Sequence, residues 1–131
     1  MMEKISTDKA PAAIGPYSQA IISGGLLFAS GQIPINPATG NVEAQGIEAQ
    51  AEQAIINVGE ILKAAGVTYE NVVKTTCFLA DIADFAAFNE VYAKYFTEKP
   101  ARSCVAVKDL PKGVLCEVEV IADVTNAGLD F

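Results

Sequence analysis

Arg102 is the only arginine of the chain, and it opens the segment PARSCVAV (100–107), which otherwise has the pattern of a buried β-strand. Lysine, which occurs eight times, provides the positive charges that keep the surface soluble. A guanidinium is a rigid planar fork that can bind a carboxylate through two hydrogen bonds, and lysine cannot reproduce this geometry. The lone arginine therefore suggests a ligand anion. The alternative is a cross-strand ion pair on a solvated sheet face, worth less than about 1 kcal/mol.

Two carboxylates follow Arg102 in the next predicted strand. Since side chains alternate along a strand, Arg102 shares a face with Cys104, and Glu117 shares a face with Glu119. If the two strands form an antiparallel hairpin, their apolar faces must coincide, because a slip of one residue would turn the core set outward. The pattern then predicts that these four polar side chains lie together on the sheet face away from the helices.

A further polar residue interrupts the apolar stripe of a predicted helix. Asn89 lies at helical spacing from Phe85, Tyr92 and Phe96. It is either a buried amide whose hydrogen bonds are satisfied or a support for a functional site. The sequence leaves these two interpretations open.

Composition narrows the classes of function. The net charge of −7 and the lack of any Lys or Arg run disfavour a nucleic-acid partner, whose phosphates attract basic residues. The chain has no histidine, which is the commonest general base and metal ligand. The three cysteines, Cys77, Cys104 and Cys116, lack CxxC spacing and indicate reduced thiols in a cytoplasmic protein rather than disulfides or a zinc site.

The hydropathy pattern bears on two questions: whether the chain crosses a membrane and whether it forms subunit contacts. Residues 10–42 carry no charge, but repeated glycines and prolines interrupt the apolar runs well before the roughly 20 residues that a span needs. We therefore expect no membrane segment. A hydrophobic content of 51% with a mean hydropathy of +0.30 indicates that some apolar surface is buried between subunits.

Local patterns predict one α+β domain of 131 residues with two helices on one face of a sheet. The uncovered face would meet water, a ligand or another subunit. The segment at about 125–131 is expected to be a short C-terminal tail. The predicted elements are a hairpin at 17–32 with its turn at 23–25, a helix at 47–65, a strand at 72–81, a helix from about 85 that ends before Pro100, and two strands at 101–110 and 114–124 around a turn at 111–113.

Along nearly its whole length, the chain resembles the RidA/YjgF/L-PSP family of reactive-intermediate deaminases. The segments that carry the resemblance are APAAIGPYSQA (10–20), ASGQIP (29–34), VVKTTCFLAD (72–81), FNEVYAKYF (88–96) and PARSCVAVKDLPKGVLCEVEV (100–120). It is similar to the archetypal RidA subgroup because six family residues occur together, with the arginine and the glutamate fifteen positions apart. These residues are Tyr17, Ser30, Asn89, Arg102, Cys104 and Glu117.

The resemblance implies a fold, an assembly and an activity. The fold would be a chorismate-mutase-like α+β subunit with a mixed sheet, assembled as a homotrimer around a central barrel with clefts between neighbouring subunits. The activity would be hydrolysis of 2-iminopropanoate and 2-iminobutanoate to 2-oxo acids and ammonia. Pyridoxal-phosphate-dependent dehydratases would supply these small imino acids, and the protein itself would need no cofactor and no metal.

The resemblance also implies roles for individual residues. Arg102, helped by the backbone N–H of Gly31, would hold the substrate carboxylate, and Glu117 would position and activate the attacking water. The cleft would be lined by Tyr17 and Ser30, and Cys104 would form part of its wall. Asn89 would support the site from behind, with Glu119 an electrostatic neighbour.

Two other functions remain open at this stage. One is an endoribonuclease or translation inhibitor, a label attached to the L-PSP family, which the negative charge and the missing histidine disfavour. The other is a trimer without enzymatic activity that binds small 2-oxo or 2-imino acids or acts as a chaperone. In such a protein, Arg102 would keep its role and Glu117 would have none.

Overall fold

The computed structural model describes residues 2–125, which form one six-stranded mixed sheet and two α-helices. The predicted C-terminal tail therefore lies outside the described residues, apart from Thr125. The elements along the chain are β1 (Glu3–Ile5), β2 (Ala20–Ser23), β3 (Leu26–Ala29), α1 (Ile47–Ala64), β4 (Val72–Leu79), α2 (Phe85–Tyr95), β5 (Ala101–Ala106) and β6 (Cys116–Asp123).

The hairpin predicted near the N-terminus is confirmed. Strands β2 and β3 pair antiparallel, with Ser23 opposite Leu26, so the turn consists of Gly24 and Gly25. Both glycines have positive φ, 61° and 79°, a conformation that costs glycine little. Strand β1, which the sequence analysis did not predict, adds to the outer side of β2.

Both predicted helices are confirmed. Helix α1 stops one residue before the predicted Ala65, and Gly66 follows with a φ of 82°. Helix α2 begins after Asp84 and stops well before Pro100. The two helices pack on the same face of the sheet, where their apolar stripes meet the buried alternate residues of β4 and β6. These buried strand residues are Thr75, Cys77, Leu79, Cys116, Val118, Val120 and Ala122.

The predicted hairpin between β5 and β6 is wrong. The strand order is β1-β2-β3-β6-β4-β5, so β4 separates the two strands. Strand β5 pairs parallel with β4, whereas β6 pairs antiparallel with both β4 and β3. The 11 residues of α2 provide the crossover that two neighbouring parallel strands require.

The prediction that Arg102, Cys104, Glu117 and Glu119 share one face is therefore also wrong. Arg102 is the register partner of Thr75, whose side chain is completely buried under the helices. Glu117 is the register partner of Phe78 on the uncovered face. Since side chains of register partners point the same way, the arginine lies on the helix face and the glutamate on the open face.

The residues of β5 that alternate with Arg102 are exposed, although the buried-strand pattern of PARSCVAV predicted that they face the core. Ser103 and Val105 lie on the open face, and 46% of Val105 is exposed. As an edge strand, β5 is covered on its other face by α2, whose polar and aromatic side chains suit an arginine.

No helix within residues 2–125 is long and apolar enough to cross a bilayer.

Candidate functional site

Arg102 is held on the helix face by three residues of α2. Its Nη1 donates a 2.6 Å hydrogen bond to Oδ1 of Asn89. Its Cζ lies 4.7 Å from the ring centroid of Tyr92 and 5.5 Å from that of Phe85. The three residues are four and three positions apart, so they follow one face of the helix. This hydrogen bond is the contact through which the predicted support role of Asn89 would act.

The charge of Arg102 has no carboxylate partner within residues 2–125. Asn89 is the one hydrogen-bond acceptor that the guanidinium reaches in this part of the chain. The alternative of a cross-strand ion pair with Glu117 or Glu119 is therefore not realised in the chain. Arg102 borders a hollow of about 350 Å³, the arginine pocket, lined by Asn89, Tyr92, Ala93, Phe96, Thr97, Lys99, Pro100 and Arg102.

Cys104 lies two residues along β5, on the same face as Arg102 and in register with Cys77 of β4. Burial raises the pKa of the Cys104 thiol, and the positive charge of Arg102 only partly opposes this. Burial also raises the pKa of Cys77, to about 12. A neutral thiol is a poor nucleophile, so the environment favours Cys104 as a wall over a reactive group.

Glu117 lies on the opposite face, against the backbone of Gly31. Gln32 and Val118 exchange two backbone hydrogen bonds, of 2.8 Å and 3.0 Å, which fix the segment after β3 beside β6. A methyl group on Gly31 would lie 2.9 Å from the carboxyl carbon of Glu117 and closer still to Oε2. Glycine is therefore needed here for close approach rather than for an unusual backbone angle.

The carboxyl group of Glu117 opens into a cleft of about 600 Å³, the glutamate cleft. The cleft contains three of the other predicted site residues, Tyr17, Ser30 and Gly31, together with Gln32, Lys112 and Glu119. Burial, and secondarily the charge of Glu119, raises the pKa of Glu117. Its carboxylate is consequently a stronger proton acceptor than that of an exposed glutamate.

Ser30 and Tyr17 contribute to the glutamate cleft in different ways. The Ser30 hydroxyl donates a 2.6 Å hydrogen bond to the carbonyl oxygen of Ser18, so a ligand would find it an acceptor. The backbone N–H of Ser30 donates to the carbonyl of Gln19, which ties the strand end to the N-terminal loop. Tyr17, at the end of that loop, is 52% exposed and lines the cleft.

Sequence reasoning missed a group of buried amides that hold the loops around the glutamate cleft. Asn57 of α1 is fully buried and donates to the carbonyls of Ile33 and Ile35, the loop that follows Gly31. Gln50, about two turns earlier on the same face of α1, accepts a hydrogen bond from the N–H of Leu115, just before β6. Both amides lie within the apolar stripe of α1, and that position was the signal available in the sequence.

The structure thus places every predicted site residue in one of two separate groups. Arg102, Asn89 and Cys104 lie on the helix face, and the remaining residues line the glutamate cleft on the open face. No cluster of three or more Cys, Asp or Glu side chains in residues 2–125 could hold a metal ion. One group can hold an anion and the other can accept a proton, but a single chain does not bring them to the same ligand.

Comparisons with known proteins agree on one family. The sequence model of the family described as endoribonuclease L-PSP matches residues 7–124. A protein of Capra hircus described as 2-iminobutanoate/2-iminopropanoate deaminase is 53% identical over 119 residues, which are 90% of this chain and 87% of that protein. A putative regulator of Lactococcus lactis, AldR, is 54% identical over 126 residues, which are 95% of this chain and 100% of that protein.

A solved structure has the same fold as this chain. The crystal structure of E. coli TdcF with bound serine matches with a TM-score of 0.87 at 45% identity, over 92% of this chain and 98% of that one. The α+β architecture with one mixed sheet and two helices is therefore shared with known members. The relatives themselves carry different functional names, one a deaminase and one a regulator.

Proposed function

This chain belongs to the endoribonuclease L-PSP family, and we propose that it acts there as a RidA-type deaminase, hydrolysing small 2-imino acids to 2-oxo acids and ammonia. The observation that carries the proposal is the unpaired guanidinium of Arg102, which α2 holds in place while no carboxylate of residues 2–125 neutralises it. Such a group is suited to the carboxylate that every 2-imino acid carries. The deaminase of Capra hircus, at 53% identity, supports the same reaction.

The proposal requires that two copies of the chain share a site. The arginine pocket and the glutamate cleft lie on opposite faces of one sheet, so a small substrate cannot meet both within one chain. We infer a homotrimer in which the arginine pocket of one subunit faces the glutamate cleft of the next, with the open sheet faces turned toward a central barrel. Exposed apolar side chains on the open face support this assembly, because 44% of Phe28 and 46% of Val105 are exposed.

The first step would fix the substrate. Arg102 would bind the carboxylate through its fork, and the backbone N–H of Gly31, which donates to no residue within 2–125, could supply a further hydrogen bond. Cys104 would pack beside the bound substrate as a neutral wall. The C2 atom of the protonated imine is electrophilic and would then lie next to Glu117.

The second step would be the addition of water. Glu117 would take a proton as the water oxygen bonds to C2, which gives a tetrahedral carbinolamine. The same carboxyl would return this proton to the nitrogen, the C–N bond would break, and ammonia would leave. The remaining hydroxyl would give its proton to the released ammonia, so that the products are the 2-oxo acid and ammonium. The raised pKa of Glu117 supports this role, because it makes the carboxylate a stronger proton acceptor than an exposed glutamate.

A coupled assay tests the proposal. A serine or threonine dehydratase that depends on pyridoxal phosphate generates the imino acid, and release of the 2-oxo acid is followed with and without the protein. We expect the wild type to accelerate this release and Arg102→Ala and Glu117→Ala to lose most of the acceleration. Equal rates with and without the wild-type protein would sink the deaminase function.

Two alternatives are decided by the same variants. The family description supports an endoribonuclease, which would cleave a defined RNA and remain active in Arg102→Ala. The E. coli TdcF structure with bound serine supports a binding protein without catalysis, which would bind small acids through Arg102 and be indifferent to Glu117→Ala. We favour the deaminase because it uses both the arginine pocket and the glutamate cleft.

We also propose a reducing, cytoplasmic location, since all three cysteines are free thiols.

A further inference from the structure

Tyr92 lies directly beneath the guanidinium of Arg102, with its ring centroid 4.7 Å from Cζ, and it is not among the residues to which the proposed reaction gives a role. We propose that Tyr92 is a positioning residue, which holds the Arg102 fork in the orientation that binds the substrate carboxylate. This inference rests on the proposed function for the identity of the ligand. Its geometric basis, the stack of Arg102 on Tyr92, belongs to the chain itself.

The Tyr92 side chain is held at its hydroxyl group and on one face of its ring. Its hydroxyl forms a 2.8 Å hydrogen bond with Oγ1 of Thr75, a side chain of β4 with no exposed surface. Its ring stacks on Phe96 with centroids 4.5 Å apart and planes inclined by 29°. Only 8% of Tyr92 is exposed, so the ring is part of the core and cannot move away when Arg102 binds a ligand.

An aromatic ring is well suited to hold this arginine. It attracts the cation through its π face, so it uses none of the five N–H donors of the guanidinium. Asn89 takes one donor, which leaves the others for a carboxylate. A ring also brings no negative charge, whereas an aspartate or glutamate in its place would neutralise the cation and compete with the substrate. Burial raises the pKa of Tyr92, which keeps the ring neutral.

Phe85 completes the arrangement from the start of the same helix. Its ring lies 5.5 Å from Cζ of Arg102, against 4.7 Å for Tyr92, and 36% of it is exposed. Phe85 is therefore the looser of the two aromatic contacts. Tyr92, which is buried and bonded to Thr75, is the one that can set the orientation.

The sequence offers a direct spectroscopic readout. Because Arg102 is the only arginine, protein grown with ¹⁵N-labelled arginine gives a single Nε–Hε signal. In the wild type, this signal should be displaced by the ring current of Tyr92 and should shift again when 2-oxobutanoate, the reaction product, is added. Titration of the shift gives the Kd, and the coupled assay gives kcat and KM separately.

Variants of Tyr92 separate its ring from its hydroxyl. Tyr92→Phe keeps the ring and should bind 2-oxobutanoate within about twofold of the wild type. Tyr92→Met removes the ring while a flexible side chain refills the space, and Tyr92→Leu is a second variant of this kind. In both, we expect the Arg102 signal to move toward that of a free side chain, with Kd and KM about tenfold higher and kcat changed less than about threefold.

A matched control lies one helical turn along α2. Tyr95→Leu removes a tyrosine whose hydroxyl donates to Glu52 and whose ring packs at a tilt against Tyr69, away from Arg102. It should lower the melting temperature and leave the Arg102 signal and the Kd unchanged. A purely structural role for Tyr92 would give the same outcome in its own variants.

The possible failures can be told apart. If a folded Tyr92→Met or Tyr92→Leu protein keeps the wild-type Arg102 signal and the wild-type Kd, the positioning role is overturned, whatever the wild-type activity. If the wild type hydrolyses no imine but 2-oxobutanoate still shifts the Arg102 signal in a Tyr92-dependent way, the deaminase function fails and the positioning role stands.

Discussion

Arg102 and Glu117 face opposite sides of one sheet, and β4 separates the two strands that carry them. The position of each side chain is nevertheless fixed by its neighbours. The arginine is stacked and unneutralised within residues 2–125, and the glutamate is pressed against Gly31 with a raised pKa. A small substrate that needs both groups must therefore bind between two copies of the chain.

The first prediction concerns the pH dependence of the reaction. Glu117 must be deprotonated to accept a proton from water, so kcat/KM should fall as the pH drops through its pKa. The charge of Glu119 contributes to raising that pKa. Glu119→Gln removes the charge, lowers the pKa of Glu117, and should move the acid limb of the kcat/KM profile to lower pH.

The control for this experiment is Asp123→Asn. Asp123 lies on the same strand and the same face but is exposed, and it does not contribute to the pKa of Glu117. Its substitution should leave the acid limb where it is. An acid limb that stays in place in Glu119→Gln as well would argue against Glu117 as the proton acceptor.

The second prediction concerns the close approach of Gly31. Gly31→Ala places a methyl group 2.9 Å from the carboxyl carbon of Glu117, so the carboxyl must move away from its position. We expect a loss of about tenfold or more in kcat/KM and a destabilisation of about 1–3 kcal/mol, as for other overpacked sites. Chemical denaturation and the coupled assay measure the two effects.

A double variant isolates the cause of that destabilisation. In Gly31→Ala/Glu117→Ala, the methyl group no longer meets a carboxyl, so the double variant should be more stable than the sum of the single effects. Strictly additive free energies of unfolding would show that Gly31 is needed for another reason than its contact with Glu117.

The third prediction concerns the buried amide of Asn57. Its Nδ2 donates to the carbonyls of Ile33 and Ile35 at 3.1 Å and 2.9 Å. Asn57→Ala leaves both acceptors without this donor, and we expect a loss of about 1–3 kcal/mol in the free energy of unfolding. The activity should fall too, since this loop continues from Gly31.

Gln53→Ala is the matched control for Asn57. Gln53 donates to Oδ1 of Asn57 and is itself only partly buried. Its removal leaves both loop hydrogen bonds in place, and its cost should therefore be well below that of Asn57→Ala. Equal losses in the two variants would mean that Asn57 does not act through the loop.

The sequence predicted those elements whose signals are local. The turn of the β2–β3 hairpin has two adjacent glycines, and α1 has apolar residues at helical spacing that end before Gly66. Both signals depend on neighbouring residues only. Strand β1, with three residues, was too short for its pattern to be distinguished from a loop.

Strand pairing could not be predicted from such local signals. β5 was assigned a core face because Val105 alternates with Arg102, but its neighbour is β4, on the far side of the α2 crossover. At the sheet edge, Val105 is left exposed, and the surface of α2 that covers β5 accepts a guanidinium. Pairing over a helical crossover is a long-range property, and only the order strand, helix, strand hinted at it.

The fourth prediction is the most direct test of the central claim, a site made by Arg102 of one subunit and Glu117 of another. Arg102→Ala and Glu117→Ala chains, each inactive alone, are unfolded together, refolded as a mixture and tested in the coupled assay. In randomly mixed trimers, roughly a quarter of the sites would contain both native residues, so about that fraction of the wild-type rate should return. Mixed trimers, verified by native mass spectrometry, that show no activity above that of the separate variants would contradict the account.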